Sequence, residues 1–136
     1  MDNELLVELY KVSSAMISSL NNQLRPYRLT FQQFLILDYL SRKEDTVIGK
    51  DICQYLGISH PTSVGLMTRM RGKGFITMEI SESDRRQTEI ALTGEGYDVL
   101  KETQILVKDI EKKMSEQLQS KSIFLEELKF MKENIK

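Results

Sequence analysis

Few side chains in this sequence combine a reactive group with a spacing that supports chemistry. His60 is the only histidine and Cys53 the only cysteine, so neither can build a zinc site on its own. The sequence contains neither a glycine-rich phosphate loop followed by Ser or Thr nor a G-x-S-x-G motif. We therefore expect no catalytic residues, no metal and no cofactor, and we predict that the protein is not an enzyme.

Cys53 and His60 each have an ordinary interpretation. Cys53 follows Ile52 on the inner face of a short predicted helix, which favours a buried structural cysteine over a redox-active one. His60 opens the next predicted helix, where it can either contact a phosphate or lie on the plain surface. The sequence alone leaves both alternatives for His60 open.

A run of basic residues without acidic neighbours is more informative. The segment from His60 to Ile76 contains Arg69, Arg71 and Lys73 and no Asp or Glu, whereas the whole chain has a net charge of −1. A local positive stretch on a nearly neutral protein favours directed contacts with phosphate groups. A solvated helix face is the alternative interpretation of the same residues.

Two short helices separated by a tight turn would position these residues. Apolar spacing predicts a helix over 50–56, and Gly57 ends it because glycine accepts a positive φ. Ser59 is a suitable N-cap for a second helix over 60–71. Pro61 falls in the first turn of that helix, where a missing N–H group costs nothing. We expect Ile58 to be a buried anchor in the turn.

The second helix has a predicted core face and a predicted exposed face. The core face comprises Ser63, Leu66, Met67 and Met70. The opposite face carries small or polar residues that could approach the edges of DNA bases, namely Thr62, Val64, Gly65, Thr68 and Arg69. This order of elements is typical of a helix-turn-helix, which places its second helix in a major groove of DNA.

A hairpin with a charged tip follows the second helix. Strand patterns over 75–80 and 88–92 enclose the loop SESDRRQ. In this loop Asp84 can hold an arginine rigidly through a local ion pair. The narrow minor groove of DNA attracts an arginine such as Arg86. A surface turn with paired charges is the alternative interpretation of the loop.

At these residues the chain resembles the MarR family of bacterial transcriptional regulators. The wing pattern of the family is Asp-x-Arg, three residues, then Ile-x-Leu-Thr, and it is filled in register by Asp84, Arg86, Ile90, Leu92 and Thr93. Residues 69–76 resemble the RLxxKGLI segment of the family, and Gly96 completes LTxxG. The sequence departs from the family at Ser63, where a large apolar residue is common.

Long helical segments flank the central module. Leu29-Thr30 opens a core helix with Gln33 as the capping-box partner of Thr30, and Thr93 caps a helix over 94–118. A first helix over 2–24 and a last helix over 122–135 are strongly apolar. Their apolar faces favour pairing with a second copy of the chain, and intrachain packing in a monomer is the alternative.

The predicted fold is mainly α-helical with a small β-hairpin wing. We predict that residues 30–93 form a winged helix-turn-helix DNA-binding domain. Residues 1–29 and 94–136 are the predicted helical dimerisation region. Because the chain has one cysteine, it cannot form an intrachain disulfide, which suits a reducing cytoplasm. No signal peptide and no apolar run of about 18 residues is present, so we expect no membrane partner.

We predict a homodimeric transcriptional regulator that binds a palindromic operator in double-stranded DNA. We expect it to be a repressor. The candidate DNA-binding residues are Ser59, His60, Pro61, Thr62, Val64, Gly65, Thr68, Arg69, Arg71, Lys73, Asp84, Arg85, Arg86 and Gln87. The basic residues at 69, 71 and 73 would contact phosphates, and Arg85 or Gln87 would contact the backbone. A winged-helix module that binds a protein partner instead of DNA is the alternative.

The family resemblance also implies a small-molecule effector. The implied pocket lies between the dimerisation arms and the DNA-binding lobe and often accepts aromatic or phenolic compounds. Candidate lining residues are Tyr10, Met16, Tyr39 and Tyr55, although a core position is the simpler interpretation of each. Family members that sense oxidants typically use a cysteine near the amino-terminal helix, and no cysteine is present there in this chain.

Overall fold

The computed structural model describes residues 2–135 and shows a mainly helical protein with one small antiparallel sheet, which confirms the predicted fold class. The chain divides into two compact units, Met1–Thr103 and Gln104–Lys136. In chain order the described elements are α1 (Glu4–Leu24), a short 3-10 helix (Arg25–Tyr27), α2 (Phe31–Arg42), β1 (Val47–Ile48), α3 (Gly49–Leu56), α4 (His60–Gly72), β2 (Ile76–Ile80), β3 (Thr88–Leu92), α5 (Gly94–Ser115) and α6 (Lys121–Asn134).

The start of α2 is fixed by the predicted capping box. The Thr30 hydroxyl accepts a hydrogen bond from the Gln33 backbone N–H, and the Gln33 side chain accepts one from the Thr30 N–H. A second clamp comes from α1, where Asn21 Oδ1 accepts the Phe31 N–H at 2.7 Å. These bonds satisfy amide groups that the first helical turn leaves without partners.

The turn between α3 and α4 has the predicted geometry. Gly57 has φ of 66°, and its N–H and that of Ile58 both donate to the Cys53 carbonyl. The Ser59 side chain then caps α4 by accepting the Thr62 N–H at 3.3 Å. Ile58 is half-buried, so the prediction of a buried anchor is wrong. The backbone bonds to Cys53, rather than burial of Ile58, therefore hold the turn.

The sheet contains a strand that the sequence patterns do not predict. The strand order is β1-β3-β2, and both pairings are antiparallel. In β1, Val47 pairs with Ile90 and is buried. Because β1 leads directly into α3, the hairpin is joined through backbone hydrogen bonds to the first helix of the helix-turn-helix.

The start of α5 is locked against the start of β2. The Thr93 hydroxyl accepts the Gly96 N–H and donates to the Gly74 carbonyl at 2.6 Å, so Thr93 caps α5 as predicted. A Cβ on Gly96 would collide with the carbonyl oxygen of Phe75. Only glycine therefore allows the helix to approach the strand this closely.

The core of the first unit lies beneath α4 and against α2. The predicted core face of α4 is confirmed, because Ser63, Leu66, Met67 and Met70 are all buried. They pack in a core with the buried apolar residues Leu20, Leu24, Phe34, Ile36, Leu37, Ile52, Ile76 and Ile90. The Ser63 hydroxyl is buried and has no hydrogen-bond partner among the described residues. Ser63 thus places an unpaired polar group in an apolar core.

The second unit comprises the end of α5 and α6. α5 ends at Ser115, three residues before the predicted end, because hydrogen bonds with three-residue spacing tighten the chain at Gln117 and Leu118. Lys121 donates to Glu111 at 2.6 Å and lowers the pKa of that carboxyl. No residue of α6 is buried in the part of the chain that the structure describes. No helix among residues 2–135 is both long and apolar enough to cross a membrane.

We expect Ser63→Ala to raise the free energy of unfolding by about 1 kcal/mol, because it removes an unpaired buried hydroxyl and favours the helix. Chemical denaturation at one protein concentration measures this change. Thr68→Ala, at an exposed position of α4, is the matched control for helix propensity alone. An unchanged or lower stability of Ser63→Ala would show that the hydroxyl has a partner in solution.

Candidate nucleic-acid interface

A groove of about 300 Å³ lies between the first turns of α4, the β1–α3 junction and the hairpin. We call it the wing groove. Its lining residues are Ile48, Gly49, Lys50, His60, Val64, Met67, Met78, Arg86, Gln87 and Thr88. Methionine and valine side chains supply apolar walls, and Lys50 and Arg86 supply positive charge. The groove therefore joins residues of the predicted recognition helix to residues of the predicted wing.

The first turn of α4 presents an exposed polar surface beside the wing groove. Ser59, His60, Pro61 and Thr62 are all exposed. The Ser59 hydroxyl donates to Thr62 Oγ1 at 2.9 Å and accepts the Thr62 N–H, so the two side chains hold each other in place. Two hydrogen bonds therefore connect the N-cap to the first turn of α4.

The remaining predicted contact residues of α4 divide between two sides of the helix. Val64 lines the wing groove, and Arg71 lies seven residues later, which returns it to the same side of the helix. Arg69 lines a different cavity, toward α1 and α2, and its guanidinium lies 3.6 Å from the position of a Cβ on Gly65. Thr68 is exposed. The structure therefore separates Arg69 from the groove and leaves Arg71 on the groove side.

The tip of the wing is organised by an ion pair between Asp84 and Arg86. Arg86 Nε lies 3.1 Å from Asp84 Oδ1, and a terminal guanidinium nitrogen of Arg86 lies 3.2 Å from Asp84 Oδ2. The Arg86 backbone N–H also donates to Asp84 Oδ1 at 3.1 Å. Hydrogen bonds from Arg86, first through its side chain, lower the pKa of Asp84. The predicted bracing of the arginine is confirmed.

The wing tip leaves its arginine free to contact a ligand. The side chain of Arg86 is 90% exposed although it forms a two-point contact with Asp84. The Asp84 backbone supports the loop, because its carbonyl accepts the Gln87 N–H and its N–H donates to the buried Ser81. Arg85 is exposed beside it. The result is an oriented cation on a short, hydrogen-bonded turn.

Lys73 lies apart from the other predicted contact residues. Its ammonium donates to the Arg28 carbonyl at 2.5 Å and to Gln33 Oε1 at 3.3 Å. Burial, followed by the nearby charges of Arg28 and Arg69, lowers the pKa of Lys73. Because two of the three N–H donors of this ammonium are used at the α1–α2 junction, away from the wing groove, we leave Lys73 out of the DNA interface that we propose below.

Two groove residues, Lys50 and Thr88, were not singled out in the sequence. Lys50 stands in the first turn of α3, and Thr88 begins β3. Nothing local to either residue marks it as part of a site. Both residues line the groove only because β1 pairs with β3. Their place in the site could have been predicted only from that pairing.

The candidate effector residues are not brought together. Met16 lines the cavity of about 310 Å³ between α1, α2 and α4. Tyr39 and Tyr55 instead pack against each other with ring centroids 4.5 Å apart, and Tyr10 is 74% exposed. Cys53 is half-buried rather than buried as predicted, and its structural role stays a prediction. Among residues 2–135, no group of three or more His, Cys, Asp or Glu side chains could hold a metal ion.

The fold and the groove define a winged helix-turn-helix protein. The family model described as MarR family matches residues 29–87. The organic hydroperoxide resistance transcriptional regulator of Bacillus subtilis (strain 168) is 30% identical over 96 residues, which are 71% of this chain and 65% of that relative. The match therefore spans less than two thirds of the length of the relative.

Solved structures of similar proteins have the same fold. The Staphylococcus aureus MepR–DNA complex has a TM-score of 0.86 and 20% identity, with 96% of each chain covered. The transcriptional regulator BldR from Sulfolobus solfataricus has a TM-score of 0.86 and 20% identity, with 99% of this chain and 100% of that chain covered. Residues 29–87, which match the MarR family model, carry the helix-turn-helix and most of the wing loop, and the solved structures share the fold of the chain.

The ion pair at the wing tip has a direct test. In Arg86→Ala the pKa of Asp84 should rise part of the way toward its ordinary value, because the side-chain hydrogen bonds of Arg86 are lost while the backbone N–H of residue 86 can still donate. The ion pair between Asp84 and Arg86 needs an ionised carboxylate. In the unaltered protein it should therefore be present above the lowered pKa of Asp84 and break as the pH falls through that pKa. A carboxyl NMR titration measures both effects. An identical Asp84 titration in the two proteins would show that the pair does not form in solution.

Proposed function

We propose that this protein is a homodimeric, sequence-specific DNA-binding transcriptional regulator that reads an operator with α4 and the wing. The observation that carries the proposal is the wing groove, in which His60 and Val64 of α4 lie with Arg86 of the hairpin. A helix and a hairpin that share one rigid surface can occupy adjacent grooves of a duplex. The match of residues 29–87 to the MarR family model supports the same function.

The exposed face of α4 suits the major groove. Its residues are small or polar, so the helix backbone can approach the base edges closely. Val64 can contact a thymine methyl group, and Thr62 and Thr68 can form hydrogen bonds with base edges. Gly65 allows close approach of the backbone. In this proposal the N-terminal end of α4, with Ser59, His60 and Pro61, enters the major groove first.

Positive charge around α4 and the wing suits the phosphate backbone. Arg71 lies on the groove side of α4, and Lys50 lies at the start of α3. Arg85 and Gln87 flank the wing arginine. We propose that these four side chains bind phosphates and that Arg86 enters the minor groove, braced by Asp84. Arg69, which faces the α1–α2 side, would contact at most a flanking phosphate.

Unpartnered apolar surface supports the homodimer. In α1, Leu5, Leu6 and Tyr10 are exposed, with Leu6 at 68%. In α6 the exposed apolar residues are Ile123, Phe124, Leu125, Leu128, Phe130 and Met131, and exposed Ile135 follows the helix. Phe124, Leu128 and Met131 recur at helical spacing, which forms one apolar face. A second copy of the chain is the occupant we propose for these faces, with residues 1–29 and 94–136 as the dimerisation region.

A two-fold dimer also fits the length of an operator. Two recognition helices related by the dimer axis would meet half-sites about 34 Å apart, which is one turn of DNA. The similar S. aureus regulator MepR was crystallised with DNA, and the B. subtilis relative is named as a transcriptional regulator. A protein that binds a bacterial operator acts in the cytoplasm, which we propose as its location.

The name of the B. subtilis relative refers to hydroperoxide resistance, and we do not propose that response for this chain. The single cysteine, Cys53, lies half-buried in α3. Oxidant sensors of the family, as the resemblance implies, typically carry their cysteine near the amino-terminal helix. If an effector relieves repression here, the cavity that includes Met16 is its proposed site.

The salt dependence of DNA binding tests the proposed function. Phosphate contacts release counterions, so the logarithm of the association constant should fall linearly with the logarithm of the salt concentration. Fluorescence anisotropy with labelled duplexes from 50 to 200 mM salt would measure the slope. A shallow slope and weak binding to every duplex would instead favour the alternative, a winged-helix module with a protein partner.

We expect Arg86→Ala to weaken binding to the best duplex by about 1 to 3 kcal/mol, the scale of one specific contact. The matched control is Arg42→Ala, because Arg42 also pairs with a nearby aspartate, Asp38, at 3.1 Å but does not line the wing groove. Anisotropy at fixed salt measures both variants. Equal dissociation constants for Arg86→Ala and the unaltered protein would remove Arg86 from the interface.

We expect Phe124→Glu to convert the dimer to a monomer, because a carboxylate cannot be buried in an apolar interface without a partner. Lys129→Gln, at an exposed position of the same helix, is the control because it lowers the net charge by the same one unit. Sedimentation velocity at micromolar concentration distinguishes the two species. A Phe124→Glu protein that remains dimeric would exclude this face of α6 from the interface.

A further inference from the structure

A cluster of cations surrounds the junction between α1 and α2. A cavity of about 400 Å³ at this junction is lined by Asn21, Arg25, Arg28, Leu29, Thr30 and Lys73. Three of these six residues are basic and none is acidic. The lining therefore concentrates positive charge on a chain whose net charge is −1.

The positive charges in this cluster lack compensating anions. Among residues 2–135, none of Arg25, Arg28 and Lys73 takes part in an ion pair. Within the same range, the Arg28 guanidinium forms no hydrogen bond, and Arg25 uses one terminal nitrogen to donate to Asn22 Oδ1 at 2.9 Å. The carboxylate of Glu95 lies against Gly74 and forms no ion pair with Lys73. Several N–H donors therefore remain free at the cavity.

The backbone holds the cluster in place. Arg28 has φ of 62°, a left-handed conformation that non-glycine residues seldom adopt. Its carbonyl accepts the Lys73 ammonium at 2.5 Å, and Gln33, which is buried, accepts the same ammonium at 3.3 Å. An ammonium has three donors, so one Lys73 N–H remains after these two bonds. Burial and the repulsion from Arg28 and Arg69 lower the Lys73 pKa. A bound anion would stabilise the charged form of Lys73.

The cluster lies far from the wing groove. His60 begins α4 at the groove, and Lys73 follows the last residue of the same helix. A helix rises 1.5 Å per residue, so about 20 Å separates the two ends. A phosphate that is contacted at the wing groove therefore cannot also reach this cavity, and occupation by another phosphate of the same duplex is an outcome of the test below.

We propose that the cavity at the α1–α2 junction binds the phosphate group of a small molecule, with Arg25, Arg28 and the free N–H of Lys73 as its ligands. Guanidinium groups suit phosphate because their paired N–H donors match its oxygens. A cavity of this size has room for orthophosphate or for a small phosphate monoester. The site does not depend on the proposed function, since it shares no residue with the wing groove.

The test is a titration of the full-length, isotope-labelled protein with inorganic phosphate, followed by NMR. Sodium chloride at matched ionic strength is the control for screening. We expect saturable shifts that concentrate at 25–30 and at Lys73, and a rise in the Lys73 pKa when phosphate is bound. Shifts that chloride reproduces, or shifts without saturation, would overturn the proposal. A methyl phosphate titration then shows whether a monoester binds as orthophosphate does.

Two variants identify the ligands. Arg28→Asn keeps a residue type that tolerates the left-handed backbone, and Arg25→Gln keeps an exposed polar side chain. Each should weaken phosphate binding about ten-fold, as expected for the loss of one charge-assisted contact, whereas Arg42→Gln should not change it. Unchanged phosphate affinity in both variants would overturn the proposal. A loss of DNA affinity in Arg28→Asn at fixed salt would also overturn it, because the cluster would then bind the DNA backbone.

Discussion

The pairing of β1 with β3 is the constraint on which the wing groove depends. β1 has only two residues, yet it connects the hairpin to α3 through backbone hydrogen bonds, and Val47 is buried against Ile90. The turn at Gly57 then fixes α4 relative to α3. The wing, the β1–α3 junction and α4 are therefore linked by hydrogen bonds, and these links bring the lining residues of the wing groove together.

Where the sequence carries a local signal, it predicts the structure well. The capping box of Thr30 and Gln33, the positive φ of Gly57, and the Ser59 cap all depend on residues within four positions of one another. The wing tip is local in the same way, because Asp84 and Arg86 are two residues apart. The core face of α4 follows from its periodicity alone. The predicted helix ends are less accurate. In α5, hydrogen bonds with three-residue spacing end the helix earlier than its apolar spacing predicts.

Features that depend on contacts between distant residues could not be predicted. β1 is too short to show a strand period, and its partner lies about forty residues later in the chain. Lys73 belongs to a basic run, which predicted a phosphate contact, but its ammonium is bonded to groups 40 and 45 residues away. The same long-range packing turns Arg69 toward α1 and α2 while Arg71 stays on the groove side. A basic run in the sequence therefore becomes three different environments in the fold.

The most direct test of the central claim, that α4 and the wing of a two-fold dimer read DNA, is selection of bound fragments from random duplex DNA. The purified protein is the bait, and its oligomeric state is measured in the same buffer. We expect enrichment of a palindrome whose half-sites lie about ten base pairs apart. A folded dimer that enriches no sequence would show that α4 and the wing do not read DNA and would leave the wing groove without a nucleic-acid ligand.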